Sequence, residues 1–87
     1  MPVSSMSIIE RIARILAGRD VSINAEGGSA SAGDQVDAIW REYREDALSV
    51  LRTLREPDPI MAAAGDVENW DRMVEAALQA EEAGAGA

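Results

Sequence analysis

The chain contains no cysteine, no histidine, no lysine and no phenylalanine. Without cysteine or histidine there is no disulfide frame, no zinc finger, no thiol nucleophile, no Ser-His or Cys-His pair and no imidazole base. All eight cations are arginine, set against 16 carboxylates for a formal net charge of −8. Proteins that grip DNA or RNA neutralise phosphates with a net basic face, so this balance argues against nucleic acid. No apolar run approaches the roughly 18 residues that span a bilayer. The first residues lack the basic region and long apolar stretch of a secretory signal, so a cytoplasmic placement is the expectation.

What is present is small and apolar enough to fold. With 87 residues and 47% hydrophobic side chains, one modest domain is expected rather than a disordered chain. A domain of this size buries only about 60–65% of its unfolded surface. With neither disulfide nor evident metal to staple it, association of two copies through leftover apolar surface is a reasonable expectation.

The pattern along the chain is helical. Ser7 and Glu10 have the spacing of a capping box, and Ile8, Ile9, Ile12, Ile15 and Leu16 make an apolar stripe. Gly18 suits a helix end, so the first helix is expected over about 7–17. Residues 19–33, ending in Gly27-Gly28-Ser29-Ala30-Ser31-Ala32-Gly33, have the composition of a mobile loop. Asp34 suits a cap for a long second helix over 34–55. There Val36, Trp40, Tyr43, Ala47, Val50, Leu51 and Leu54 share one face. Pro57 ends it. Asp58 and Pro59 then open a short helix over 59–64, and Asp66 caps a last one over 66–80, whose stripe is Val67, Trp70, Met73, Val74, Ala77 and Leu78. The expected fold is all-α: a small three-helix domain with one additional short linking helix, spanning 7–82, with tails at 1–6 and 83–87.

Two sets of side chains are candidates for function. Arg41, Arg44, Arg52 and Arg55 fall within about 80° on an ideal wheel of about 100° per residue. Leu48 lies in the same sector as an expected exposed apolar residue. Such a stripe suits an anionic ligand or an acidic partner helix. Local acids compete for it, with Glu45 four residues after Arg41 and Glu56 four after Arg52. The aromatics Trp40, Tyr43 and Trp70 lie on apolar stripes. Together with Leu51, Leu54 and Val74 they are expected to anchor the core. Glu42, Glu45 and Asp46 lie off the apolar face and lack the histidine that bundle metal sites use, so neither a metal site nor a cofactor is expected. No nucleophile, base or metal set can be assembled, so no catalytic residue is assigned and the chain is not expected to be an enzyme. The first helix has arginines beside its apolar stripe, but that stripe is needed for a core, and a membrane-surface role is not expected.

A resemblance rests on four pieces of the chain: Trp40-x-x-Tyr43; Leu54-Arg55-Glu56-Pro57; Met61-x-x-Ala64-Gly65; and Trp70-x-x-Met73-Val74-x-Ala76-Ala77-Leu78. This pattern, over roughly residues 36–80, is similar to a set of short proteins found in alphaproteobacteria and in their phages or prophages. The resemblance implies a small helical scaffold in a bacterial cytoplasm and a mobile-element context. It carries no activity, cofactor or catalytic residue. The expected function is therefore that of a non-enzymatic interaction or structural accessory factor with a protein partner. The alternative is a binding module using the arginine stripe.

Overall fold

The computed structural model describes residues 3–24 and 32–84. It is all-α, as the periodicity predicts, with no strand among the described residues. Five α-helices follow one another among them: α1 (Ile8–Asn24), α2 (Ala32–Ile39), α3 (Arg44–Leu54), α4 (Pro59–Ala64) and α5 (Val67–Gly84). A 3-10 turn, Trp40–Tyr43, joins α2 to α3. The chain divides into two compact units, Met1–Ala47 and Leu48–Ala87.

Helix starts follow local capping chemistry. Ser7 Oγ accepts the Glu10 N–H at 3.1 Å, as expected of a cap. Glu10 does not close the box; its Oε2 accepts from Arg14 Nε at 2.8 Å instead. Asp58 accepts the Met61 N–H at 2.8 Å with Pro59 in the first turn of α4, and Asp66 accepts the Asn69 N–H at 3.1 Å. Both caps stand where the sequence places them, and α4 occupies the residues expected for it.

The first unit departs from expectation along α1. The helix runs seven residues beyond the expected end, through Gly18 to Asn24, so residues 19–24 are helix rather than loop. Residues 32 and 33 likewise belong to α2, and the rest of the expected loop, 25–31, lies outside the described residues. The reason is burial. Ile9, Ala13, Ala17 and Val21 recur every four residues and are all buried. This seam packs against α2 and the 3-10 turn. Two of its four members are alanine, which carries little apolar signal in a sequence, and Val21 sits in a stretch of loop-like composition. Ile15, expected on the stripe, is exposed.

The long helix expected over 34–55 stays helical but changes gauge. At Trp40–Tyr43 the turn tightens, and the Arg44 N–H donates to Arg41 O, three residues back. A 3-10 turn has about 3.0 residues per turn against 3.6, so each of its residues advances about 20° further. A wheel drawn through 34–55 as one helix loses register there. Two expectations also fail, because residues from Leu48 on bury their side chains within the second unit and not on the face that carries Val36 and Trp40. Leu48, placed on the exposed arginine flank, is buried at 8% exposure. Leu54, placed in the core, is 38% exposed, and Val50 beside it is 39% exposed. The buried residues of the second unit are Leu48, Leu51, Val74 and Leu78. Helix α5 runs past its expected end at 80 to Gly84; of the expected tail, residues 85–87 lie outside the described residues.

The alanine seam and Gly18 respond oppositely to added volume. A Cβ on Gly18 would meet only Val36 Cγ2 at 3.9 Å, an ordinary contact. Gly18→Ala is therefore expected to stabilise the chain by about 0.5–1 kcal/mol, the usual gain for Ala over Gly inside a helix. Ala17→Leu, at a fully buried position, is expected to destabilise by about 1–3 kcal/mol through overpacking. Thermal unfolding followed by helical circular dichroism reads both, and a rise for both or a fall for both contradicts this packing.

Candidate functional site

In the second unit the chain end of α3 is tied to the start of α5. The Trp70 Nε1–H donates to Leu54 O at 2.6 Å. That carbonyl sits in the last turn of α3, where no further helical N–H follows to meet it. Arg55, the next residue, donates from Nε to Asp71 Oδ1 at 2.8 Å. Its Nη1 also lies 2.7 Å from Glu75 Oε2. The second contact is a charge contact without hydrogen-bond geometry, since that buried oxygen accepts no hydrogen bond. The paired carboxylates, Asp71 first, raise the Arg55 guanidinium pKa above its usual value.

Between these ties the chain passes through Pro57, α4 and Gly65, and a cleft of about 250 Å³ opens there. Met61, Trp70 and Met73 line it with Pro57, Ala62 and Val67. Its exposed apolar side chains are Met61 at 41%, Val67 at 45% and Met73 at 62%; Ile60, on the same short helix, is 82% exposed. Trp70, expected as a core anchor, is only half-buried, with its ring on the cleft and its N–H on the Leu54 carbonyl. Leu51 and Val74 are buried as expected. No periodicity argument signals the cleft, because a wheel assigns Met73 and Val67 to the apolar, buried side.

The arginine stripe is dispersed among different environments. Arg41 lies in the 3-10 turn with its guanidinium 4.6 Å from the Trp40 ring centre. Arg44 is half-buried at the start of α3, Arg52 is exposed, and Arg55 is held by Asp71 and Glu75. Arg41 and Arg44 belong to the first unit, and Arg52 and Arg55 to the second. Arg55 thus already has the acidic partners that the stripe would need an outside ligand to supply.

The first unit carries a polar cluster of its own. Arg14, from α1, reaches Asp37 of α2 through Nη1 at 2.5 Å, and its guanidinium lies 5.2 Å from the Trp40 ring centre. Two arginines thus lie over one half-buried indole, a cation–π arrangement. The hydrogen bond to Asp37, then that to Glu10, raises the Arg14 pKa. Tyr43, half-buried rather than a core residue, donates its phenol hydrogen to Asp20 Oδ2. Asp20 lies in the stretch expected to be loop, which is why sequence reasoning could not pair it with Tyr43. Among the described residues no group of three or more metal-ligating side chains is gathered, and no helix is long and apolar enough to cross a membrane.

The Tyr43–Asp20 bond makes a testable titration. Donation to a carboxylate favours the protonated phenol, so the Tyr43 pKa is raised, with further contributions from burial and from the charges of Asp20, Glu42 and Asp46. A raised pKa means that the folded chain holds the proton more tightly than the unfolded one. The bond's contribution is therefore complete below the usual tyrosine value of about 10 and is lost as pH rises through the higher folded value. Tyr43 is the one tyrosine of the chain, so phenolate absorbance reads it directly. It is expected to titrate above its value in denaturant, and Asp20→Asn is expected to bring the two closer, leaving the smaller contributions of burial, Glu42 and Asp46. Coincident titrations in the native wild type contradict the bond.

No family model, no curated protein and no solved structure matches the chain.

Proposed function

We propose that this chain is a non-enzymatic interaction factor, a small acidic helical accessory protein that docks a protein partner through the apolar surface around α4. One observation carries the proposal: Met61, Val67 and Met73 stand exposed around one cleft, with Ile60 exposed on the same short helix as Met61. Isolated exposed apolar residues are common, but a contiguous group beside a concavity marks an interaction surface in most soluble domains. Methionine suits such a surface, since its unbranched thioether adapts to the shape of what binds. The Trp70 ring adds a rigid aromatic of the kind that dominates binding energy in interfaces. The resemblance over 36–80 adds a bacterial cytoplasmic setting and a phage or prophage origin to the proposal. Its characteristic residues Met61, Gly65, Trp70 and Met73 are cleft residues.

Met73 separates docking from folding because it is 62% exposed. Met73→Glu is expected to leave stability within about 0.5 kcal/mol, as for other surface substitutions. It is expected to abolish recovery of the partner in affinity capture from the native host, read by mass spectrometry. A partner retained at full yield by the folded variant places the interface elsewhere.

A further inference from the structure

The charge around the cleft identifies the chemistry of its occupant. Residues 48–87 hold three arginines and eight carboxylates. Arg55 is paired with Asp71 and Glu75, while Arg72 donates to the neutral Asn69 amide oxygen at 2.8 Å and retains its positive charge. Asp66 lines the cleft itself, and Asp58 caps α4 beside it. Glu56 and Glu68 line a shallower depression that shares Pro57, Ala62 and Val67 with the cleft. All four carboxylates are exposed. The apolar surface is therefore rimmed by four carboxylates, Glu56, Asp58, Asp66 and Glu68, against one arginine without a carboxylate partner among the described residues, Arg72, which lines the depression with Glu56 and Glu68, so the rim is net negative.

Size and shape narrow the occupant further. The cleft of about 250 Å³ has room for one apolar side chain, and the adjoining depression that holds Glu56 and Glu68 extends it by a wider space of about 700 Å³. A strand-addition mode needs an open sheet edge, and the described residues contain no strand. Recognition of an extended proline-rich segment needs an aromatic-lined groove, and Trp70 is the single aromatic on this cleft. An amphipathic helix, which offers apolar anchors at i, i+3 and i+4, remains. A second copy of this chain would bring a further net charge of −8 to an acidic surface, and like charges oppose that association.

Building on the docking proposed above, we propose that the cleft around α4 binds a basic amphipathic helix of a partner protein. One large apolar anchor of that helix seats between Met61, Trp70 and Met73. Its lysines or arginines face Glu56, Asp58, Asp66 and Glu68. Such rim charges speed encounter and select the partner, while the apolar anchor supplies most of the residence time.

Methionine-methyl NMR on the intact chain tests this, because the four methionines divide evenly. Met61 and Met73 line the cleft, and Met1 and Met6 lie at the chain start as internal controls. The probes are three designed helical peptides of about five turns sharing one leucine stripe, flanked by arginine, by glutamine or by glutamate. The Met61 and Met73 signals are expected to move saturably with the arginine peptide, about tenfold more tightly than with the glutamine peptide and not at all with the glutamate peptide. The preference should shrink as salt rises from about 0.05 to about 0.5 M, as screening requires. Replacing exposed Glu56 and Glu68 by Gln should weaken the arginine peptide alone, by about tenfold. Equal responses to all three peptides overturn the basic partner and leave the docking surface standing. No response of Met61 and Met73 to any peptide overturns both. Shifts of these two signals that grow with protein concentration alone assign the cleft to a second copy and overturn the proposal.

Discussion

The hydrogen bond from the Trp70 indole to the Leu54 carbonyl is the constraint on which the candidate site depends. A helix ends with carbonyls that lack intrahelical partners, and the chain after α3 cannot continue helical because Pro57 follows. The indole meets one of those carbonyls from sixteen residues away. Arg55, one residue on, adds Asp71 and Glu75 to the same junction. With both ends fixed, the intervening chain through α4 becomes a short arch. Its apolar residues cannot all turn inward, so Ile60, Met61 and Val67 remain on its surface, with Met73 exposed further along α5. The cleft is thus a consequence of how the turn is tied.

The two units are stabilised by different means. The first rests on a narrow seam of small residues, where Ala13 and Ala17 let α1 lie close to α2 and the 3-10 turn. Close approach brings polar groups within reach, and Arg14, Asp37, Trp40, Tyr43 and Asp20 form a network across that packing. Those contacts are partly exposed, and their individual contributions are modest. The second unit buries larger side chains, Leu48, Leu51, Val74 and Leu78. Its polar ties gather at the end of α3. Charge differs as well as packing: five of the eight arginines lie in the first unit, which leaves the second the more acidic.

What could be read in the sequence was what depends on nearest neighbours. Ser7, Asp58 and Asp66 cap helices where short-range chemistry places them, and Pro57 and Pro59 punctuate as their rings require. What could not be read depends on partners distant in sequence. Gly18 looks like a helix end, yet α1 continues because Val21 gains burial further along. The 3-10 turn at Trp40–Tyr43 leaves no local signature. Leu48 and Leu54 exchange their expected roles because residues after Ala47 pack within the second unit, whose buried set a single wheel through 34–55 does not show. The arginine stripe is the clearest case. Its alignment on an ideal wheel is real as arithmetic, but Arg55 is claimed by Asp71 and Glu75, and Arg41 lies over Trp40. The cleft was invisible for the opposite reason, because a hydrophobic pattern cannot show which apolar residues a small chain fails to cover.

The Trp70 indole holds the end of α3, and that bond shapes the exposed arch. Hydrogen exchange of the Trp70 Nε1 proton measures it most directly, with the two indole signals assigned by a Trp40→Phe variant. The bond predicts a Trp70 indole proton that exchanges far more slowly than that of free tryptophan and shifts downfield as a strong donor. Exchange at the rate of free tryptophan in the folded protein would contradict the bond, and with it the physical basis of the cleft.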